Sequence, residues 1–306
     1  MSFLNFFTEK VKAQGICSIE FRSDGYAIAC ASEPISARQN ILFCDFFPHR
    51  IDKQIKDSLN RLVEQYSLFD MDCNIVLPPD FYRLFLLKKP NVPEAEYKSA
   101  MRWQVKEMIE FPLEDAVVDI FYPAPEIKHY SHELFVVVAQ NSFLVTRAKL
   151  LKECHLNPVS VDIREFSIRN LVNVFGNPKE TTLVLDMHEK HCLIVFVKEE
   201  QVYFSRRVNA GLDSLRNTAN QSNLYLEIKR SLAYYQAELK QLKPEKLLFT
   251  PKAQDNKLLL ENLANELEFH FEMMDLNLLD KQQKMPMEKQ EKCFSVCGGI
   301  FRKEQQ

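Results

Sequence analysis

Glycine is scarce in this sequence: 6 in 306 residues, about 2% where soluble chains carry about 7%. Loops that wrap a phosphate in backbone amides depend on residues without a Cβ, so the chain has few to build them from. No apolar run approaches the roughly 18–20 residues of a membrane span. The opening MSFLNFFTEKVKAQ has neither a basic n-region nor a small-residue cleavage site, so no signal peptide is expected. A net charge of -3 gives no global field for nucleic acid or anionic lipid, and nucleic acid is not expected as a partner. The 8 cysteines form no CxxC and sit mostly in apolar, strand-like runs. Buried, reduced thiols in a cytosolic compartment follow as the expectation. Cys293 and Cys297 can share a helix face, but two thiols without further ligands do not make a metal site. No Ser/His/Asp or Cys/His nucleophile arrangement can be assembled.

What is present is ordinary globular material, 46% hydrophobic and 26% charged, with length for one large domain or two medium ones. The first dozen residues, through Phe3, Leu4, Phe6, Phe7 and Val11, have an apolar side at helical spacing. Packing on their own domain is the simpler reading; docking onto a membrane or partner is the sharper one. Ile16–Phe21 and Tyr26–Ala31 flank an Asp24-Gly25 hairpin turn, and Gln39–Phe46 reads as a third strand. Asp52–Tyr66 places Ile55, Leu59, Leu62, Val63 and Tyr66 on one helical face, and Cys73–Leu77 is a buried strand. After Pro78-Pro79 come a strand, Phe81–Leu87, and a helix, Pro93–Ile109. Two further strands, Val117–Phe121 and Glu133–Ala139, follow. A helix from Asn141 to about Cys154, capped by Asn141 itself, leads to strand Val159–Ile163 and helix Arg164–Phe175. His129 and His132 read as solvated loop residues.

Gly176-Asn177-Pro178 is the clearest punctuation and marks a lobe boundary. Beyond it the opening pattern recurs. Thr181–Val208 holds three strands, a helix runs from about Ser222 to Leu242, and Lys246–Thr250 is a short strand. Asn256–Leu267 reads as helix, Glu268–Met274 as extended, Lys281–Lys289 as a polar loop. Cys293–Arg302 is a final helix in which Gly298-Gly299 permits close packing. The chain thus reads as βββαβ, an inserted α/β portion, and βββαβ again: a duplication of the kind found in two-lobed, actin-like α/β folds.

Several segments carry a resemblance. Ala100-Met101-Arg102-Trp103-Gln104 continues to Glu110-Phe111-Pro112-Leu113-Glu114-Asp115-Ala116-Val117-Val118-Asp119. Together with Val159-Ser160-Val161-Asp162 and Glu227-Ile228-Lys229-Arg230-Ser231-Leu232-Ala233-Tyr234-Tyr235, this resembles the PilM family of type IV pilus assembly proteins. The short, glycine-poor first hairpin and Tyr203-Phe204-Ser205-Arg206-Arg207 look closer to the MshI branch, from the mannose-sensitive haemagglutinin (MSHA) pilus. The likeness runs in order over nearly the whole chain.

The resemblance implies an actin-like ATPase fold. Residues 1–176 would form the first lobe, with an inserted subdomain at about 80–150. Residues 177–306 would form the second, whose last helix can return to the first. It also implies two hairpin turns that hold phosphates, with a Gly-Gly turn near the adenosine. Here each departs: Glu20 and Arg22 stand in the first turn, Asp186 is followed by His188-Glu189-Lys190, and Pro251 replaces the third. A side chain blocks close backbone approach and proline removes a donor. No ATP or magnesium is therefore expected, and the chain reads as a pseudo-ATPase. His188-Glu189-Lys190-His191 is HExH in a turn, without the i, i+4 geometry of a zinc helix, and reads as a solvated, charged turn. Trp103 is either core of the inserted subdomain, the favoured reading, or partner surface.

The function implied is a cytoplasmic scaffold of a pilus assembly platform, peripheral at the inner membrane through its partners. In the family that partner is PilN-like, a bitopic protein whose N-terminal cytoplasmic tail docks on the first lobe and its insert; other pilus assembly proteins would join. Arg102, Trp103, Lys106, Phe111 and Pro112 are the candidate contacts. Two alternatives keep the fold: an ATPase using Asp186 for magnesium, and a GspL-like type II secretion component. The latter would be expected to continue into a membrane span.

Overall fold

Residues 14–32, 41–177, 179–252, 256–279 and 284–302 are described by the computed structural model, with side chains 218–222 excepted. The expectation for Phe3–Val11 lies outside these residues. Asp24-Gly25 closes a hairpin between β1 (Gly15–Arg22) and β2 (Gly25–Ser32), in register from Gly15 opposite Ser32 to Arg22 opposite Gly25. A Cβ at Gly25 would lie 2.1 Å from the Phe47 carbonyl oxygen, so the turn needs glycine. β3 (Ile41–Phe47), α1 (Asp52–Tyr66) and β4 (Asp72–Leu77) complete the first βββαβ unit. The α1 stripe of Ile55, Leu59, Leu62 and Val63 is buried on the sheet, as its period dictates.

The insert comprises β5 (Tyr82–Lys88), α2 (Tyr97–Gln104), β6 (Ala116–Phe121), β7 (Glu133–Gln140) and α3 (Asn141–Glu153). Its antiparallel sheet has the order β5-β7-β6. Met101, Val105, Ala116, Leu134, Val136 and Val138 form a small core of its own. The single helix expected over Pro93–Ile109 is instead three pieces, 3-10 turns at Glu94–Glu96 and Lys106–Met108 flanking α2. Asn141 does not cap α3. Asp115 does so from the insert, accepting from the Ser142 amide at 2.7 Å and its hydroxyl at 2.7 Å.

β8 (Asn157–Ile163) then returns to the first sheet, whose order is β3-β2-β1-β4-β8, and α4 (Arg164–Phe175) leads to the second lobe. β9 (Thr182–Met187), β10 (Cys192–Lys198), β11 (Gln201–Val208), the short α5 (Leu212–Arg216), α6 (Thr218–Ala237) and β12 (Lys246–Phe249) repeat the unit. Their sheet order, β11-β10-β9-β12, mirrors β3-β2-β1-β4 position for position. α7 (Lys257–Glu266) covers its sheet. Glu268–Met274 makes only an isolated bridge, Phe249 to Met273, rather than a strand.

α8 (Met287–Gly299) starts six residues before Cys293, with Pro286 at its N-cap position, so part of the expected polar loop is helix. It shares a core with the first sheet and with α4. Gly298 and Gly299 make that contact possible, since a Cβ on Gly298 would sit 2.3 Å from the Ser167 carbonyl oxygen. Cys17 and Cys30 stand opposite each other in the first hairpin and are joined in a disulfide. The expectation of eight free thiols is corrected by strand register, which no CxxC spacing would signal. The other six are buried thiols.

Candidate functional site

β1 and β9 occupy equivalent places in the two sheets, and each delivers a buried carboxylate between the lobes. Asp186, next to last in β9, is fully buried, and Glu20 near the end of β1 is 1% exposed. Both are met by one guanidinium. Arg164, the first residue of α4, donates from Nε to Asp186 Oδ2 at 2.9 Å and from Nη2 to Oδ1 at 3.0 Å. Its Nη1 bonds the Ser295 hydroxyl and lies 3.8 Å from Glu20 Oε1. Ser295, on α8, in turn donates to Glu20 at 2.8 Å.

The remaining capacity of Asp186 is also taken. Thr250 Oγ1 donates to Oδ1 at 2.7 Å and His188 Nε2 lies 2.9 Å from Oδ2. Burial pushes the Asp186 carboxyl up, but the Arg164 guanidinium, with His188, overrides it and holds the group well below the usual carboxylate range. Arg164 is itself raised: desolvation opposes its charge, and Asp186 and Glu20 more than restore it. The chemistry of this centre is that of a buried ion-pair cluster in which both Asp186 oxygens are taken, while Glu20 Oε2 is left without a hydrogen-bond partner. An internal cation is seated where two convergent carboxylates would otherwise accept an external one.

The Met187–His191 turn exposes Glu189 and Lys190 as the sequence suggests, but its two histidines turn inward. His188 folds onto Asp186 and stacks on His191 at 4.3 Å between ring centroids. The His188 and Glu189 carbonyls accept from the Leu212 and Asp213 amides at 2.9 and 3.0 Å. A Cβ at Gly211 would sit 2.1 Å from the His188 carbonyl oxygen, so one of the few glycines serves to close this turn. Glu189 pairs outward with Arg216 at 2.6 Å. Pro251 is buried beside Thr250, and Lys252 reaches Glu291 at 3.1 Å. Glu20, Asp186, His188 and Pro251 are therefore gathered around one centre. Arg22 is not: it pairs with Asp24 at 3.2 Å over the Phe46 ring. Among the described residues no group of three His, Cys, Asp or Glu is arranged to hold a metal.

Sequence reasoning missed Arg164, although a signal exists. A cation in the first turn of a helix opposes the helix dipole, which marks a residue held by a nearby anion. Its neighbour Glu165, 1% exposed, accepts from the Tyr82 hydroxyl and from Ser205 at 3.1 Å, linking insert, α4 and second lobe.

The open concavity lies elsewhere, between the insert and the first lobe. β6 and β8 each stand at the edge of their sheet, and both line a groove of about 410 Å³. Leu77, Val137, Leu144 and Phe166 supply apolar lining; Asp119, Asp162, Arg169 and Arg302 supply charge. Val159 and Val161 on β8 are 51% and 42% exposed, and Val117 on β6 is 39% exposed.

None of the five candidate contacts lines this groove. Arg102 donates twice to the Leu113 carbonyl, at 3.2 and 2.7 Å, and ties the insert's own loop. Phe111 packs half-buried on the insert's core. Lys106 and Pro112 are exposed. Trp103 is 70% exposed, which overturns its expected place in the core.

No protein-family model and no curated protein matches the chain. Among solved structures it is similar to a PilM-PilN type IV pilus biogenesis complex, at 17% identity over 95% of this chain and 98% of that one, with a TM-score of 0.67. A Bacteroides thetaiotaomicron protein with an actin-like ATPase fold and unknown function is similar at 12% identity, covering 89% and 94%, TM-score 0.48. The cytoplasmic domain of EpsL, an inner membrane component of the type II secretion system of Vibrio cholerae, is similar at 11% identity, covering 90% and 98%, TM-score 0.48. With the duplicated βββαβ topology, the first likeness identifies the fold as two-lobed and actin-like. No described helix is long and apolar enough to cross a membrane.

Proposed function

We propose that the chain is a non-catalytic scaffold of a type IV pilus assembly platform, of the MSHA type. It would hold the N-terminal cytoplasmic tail of a PilN-like bitopic inner-membrane protein in the groove between β6 and β8. The observation that carries this reading is the pairing of Asp186 with Arg164. It occupies both oxygens of Asp186, the carboxylate that would meet Mg-ATP at the centre where the family would hold nucleotide, whereas the groove stays open beside two strand edges. Strand edges with apolar pockets take an extended peptide by backbone pairing and need no catalytic group. Attachment to the inner membrane then comes through the partner, and the exposed Trp103, Lys106 and Pro112 are left for other assembly proteins.

Hydrogen exchange with an equimolar synthetic peptide copying the N-terminal cytoplasmic tail of the proposed PilN-like partner tests the assignment. Protection is expected over 116–121 and 157–163. Protection confined to residues beyond 180 would sink it.

A further inference from the structure

The groove holds one feature that backbone pairing does not use. Arg169 enters its lining from α4, although only 8% of it is exposed. The guanidinium stacks on Phe166, 4.7 Å from the ring centroid, and gives Nε and Nη2 to the Asn170 side-chain oxygen at 3.2 and 2.9 Å. Among the described residues no carboxylate forms an ion pair with it. Of the two acids that share the groove, Asp162 is committed on both oxygens, Oδ1 to Arg302 at 2.5 Å and Oδ2 to Asn74 at 2.8 Å, and Asp119 pairs with Lys98 at 2.6 Å. Desolvation lowers the Arg169 pKa, and Arg302 adds to this, while Asp162 and Glu200 only partly restore it.

A buried cation without a counter-ion is costly, and removing that cost is a source of selectivity for whatever supplies the missing charge. Guanidinium has a planar fork that matches a carboxylate. We infer that the groove selects an extended peptide segment bearing an aspartate or glutamate, whose carboxylate pairs with Arg169 while apolar side chains two positions away fill the lining. Side chains at i and i±2 share one face of a strand, which sets that spacing, and the edges of β6 and β8 set the extended form. This rests on the groove being the docking site proposed above; it adds the charge and the register of what docks.

Two acetylated, amidated heptapeptides test it by calorimetry on the full chain. Each has leucine two positions either side of the centre and threonine elsewhere; one has a central glutamate, its twin a glutamine. The glutamate peptide is expected to bind at least tenfold more tightly. That preference should vanish in Arg169→Gln and partly survive in Arg169→Lys, with both variants checked for an unchanged melting temperature. Equal affinity of the twins for the wild-type chain, which needs no variant to fold, would overturn the inference. So would a preference that persists in Arg169→Gln. Failure of both peptides to bind, where the natural tail still protects 116–121 and 157–163, overturns the acidic requirement and leaves the proposed function standing.

Discussion

Arg164 compensates the charge of two fully desolvated acids while being desolvated itself. Removing one member of such a cluster exposes the full cost of the others, typically about 3–5 kcal/mol, whereas replacing the whole set by apolar side chains can be close to neutral. Arg164→Met should therefore lower the free energy of urea unfolding by about that amount. Pairing it with Asp186→Leu should restore part of the loss. His191 gives a second, separable signature. It is 9% exposed, and desolvation, then the fields of His188 and Arg207, lowers its pKa from 6.5 to about 4. The unfolded chain binds that proton first, so stability should fall as pH drops from about 6.5 towards about 4, by on the order of 3 kcal/mol. Asp80 and Asp186 oppose the shift without reversing it. His191→Gln should flatten this window in pH-dependent urea melts. Asp186 acts below it: its folded pKa is depressed, so its contribution is present above the unfolded carboxylate value and is lost as pH falls through the folded one.

Among elements, α4 and α8 matter most, because they cross where the lobes meet. α4 carries Arg164 towards the second lobe and Arg169 into the groove, and it is buried on several sides. α8 is drawn against it by Gly298, whose missing side chain admits the Ser167 carbonyl, and Asn170 donates to the Gly298 carbonyl at 3.0 Å. Gly298→Ala should cost about 1–3 kcal/mol through overpacking, measured by urea denaturation. Elements with strong periodicity were legible from sequence: the α1 range, Asp52–Tyr66, and the α4 range, Arg164–Phe175, agree with the structure residue for residue. Ends set by tertiary contacts were not. The helical stripe read through to Leu242 stops at Ala237, because Lys240 adopts φ +55° and turns the chain, although Leu239 is buried as its spacing implied. The helix through Trp103 breaks after Gln104, where Arg102 bonds Leu113 instead of facing outward.

For the whole molecule, duplication was readable because both hairpin units repeat the same order of strands and helix, and the sheets bear this out. The centre between them was readable only by what it lacks. The sequence shows that no glycine or small hydroxyl residue follows directly on Asp186, that Glu20 and Arg22 stand in the first turn and that Pro251 stands in the third, and so these residues could be named. That a guanidinium joins the two acids depends on α4 meeting both β1 and β9, which no local pattern encodes. The groove escaped for the same reason: β6 and β8 are 36 residues apart at their nearest ends and become neighbours only once the insert folds back. What unites these features is an actin-like frame in which Arg164 pairs with Asp186 between the lobes and an open groove lies in the first lobe. Titrating Mg-ATP into the wild-type chain by calorimetry tests this most directly. The account predicts no saturable heat at millimolar nucleotide; micromolar binding that Asp186→Ala abolishes would contradict it.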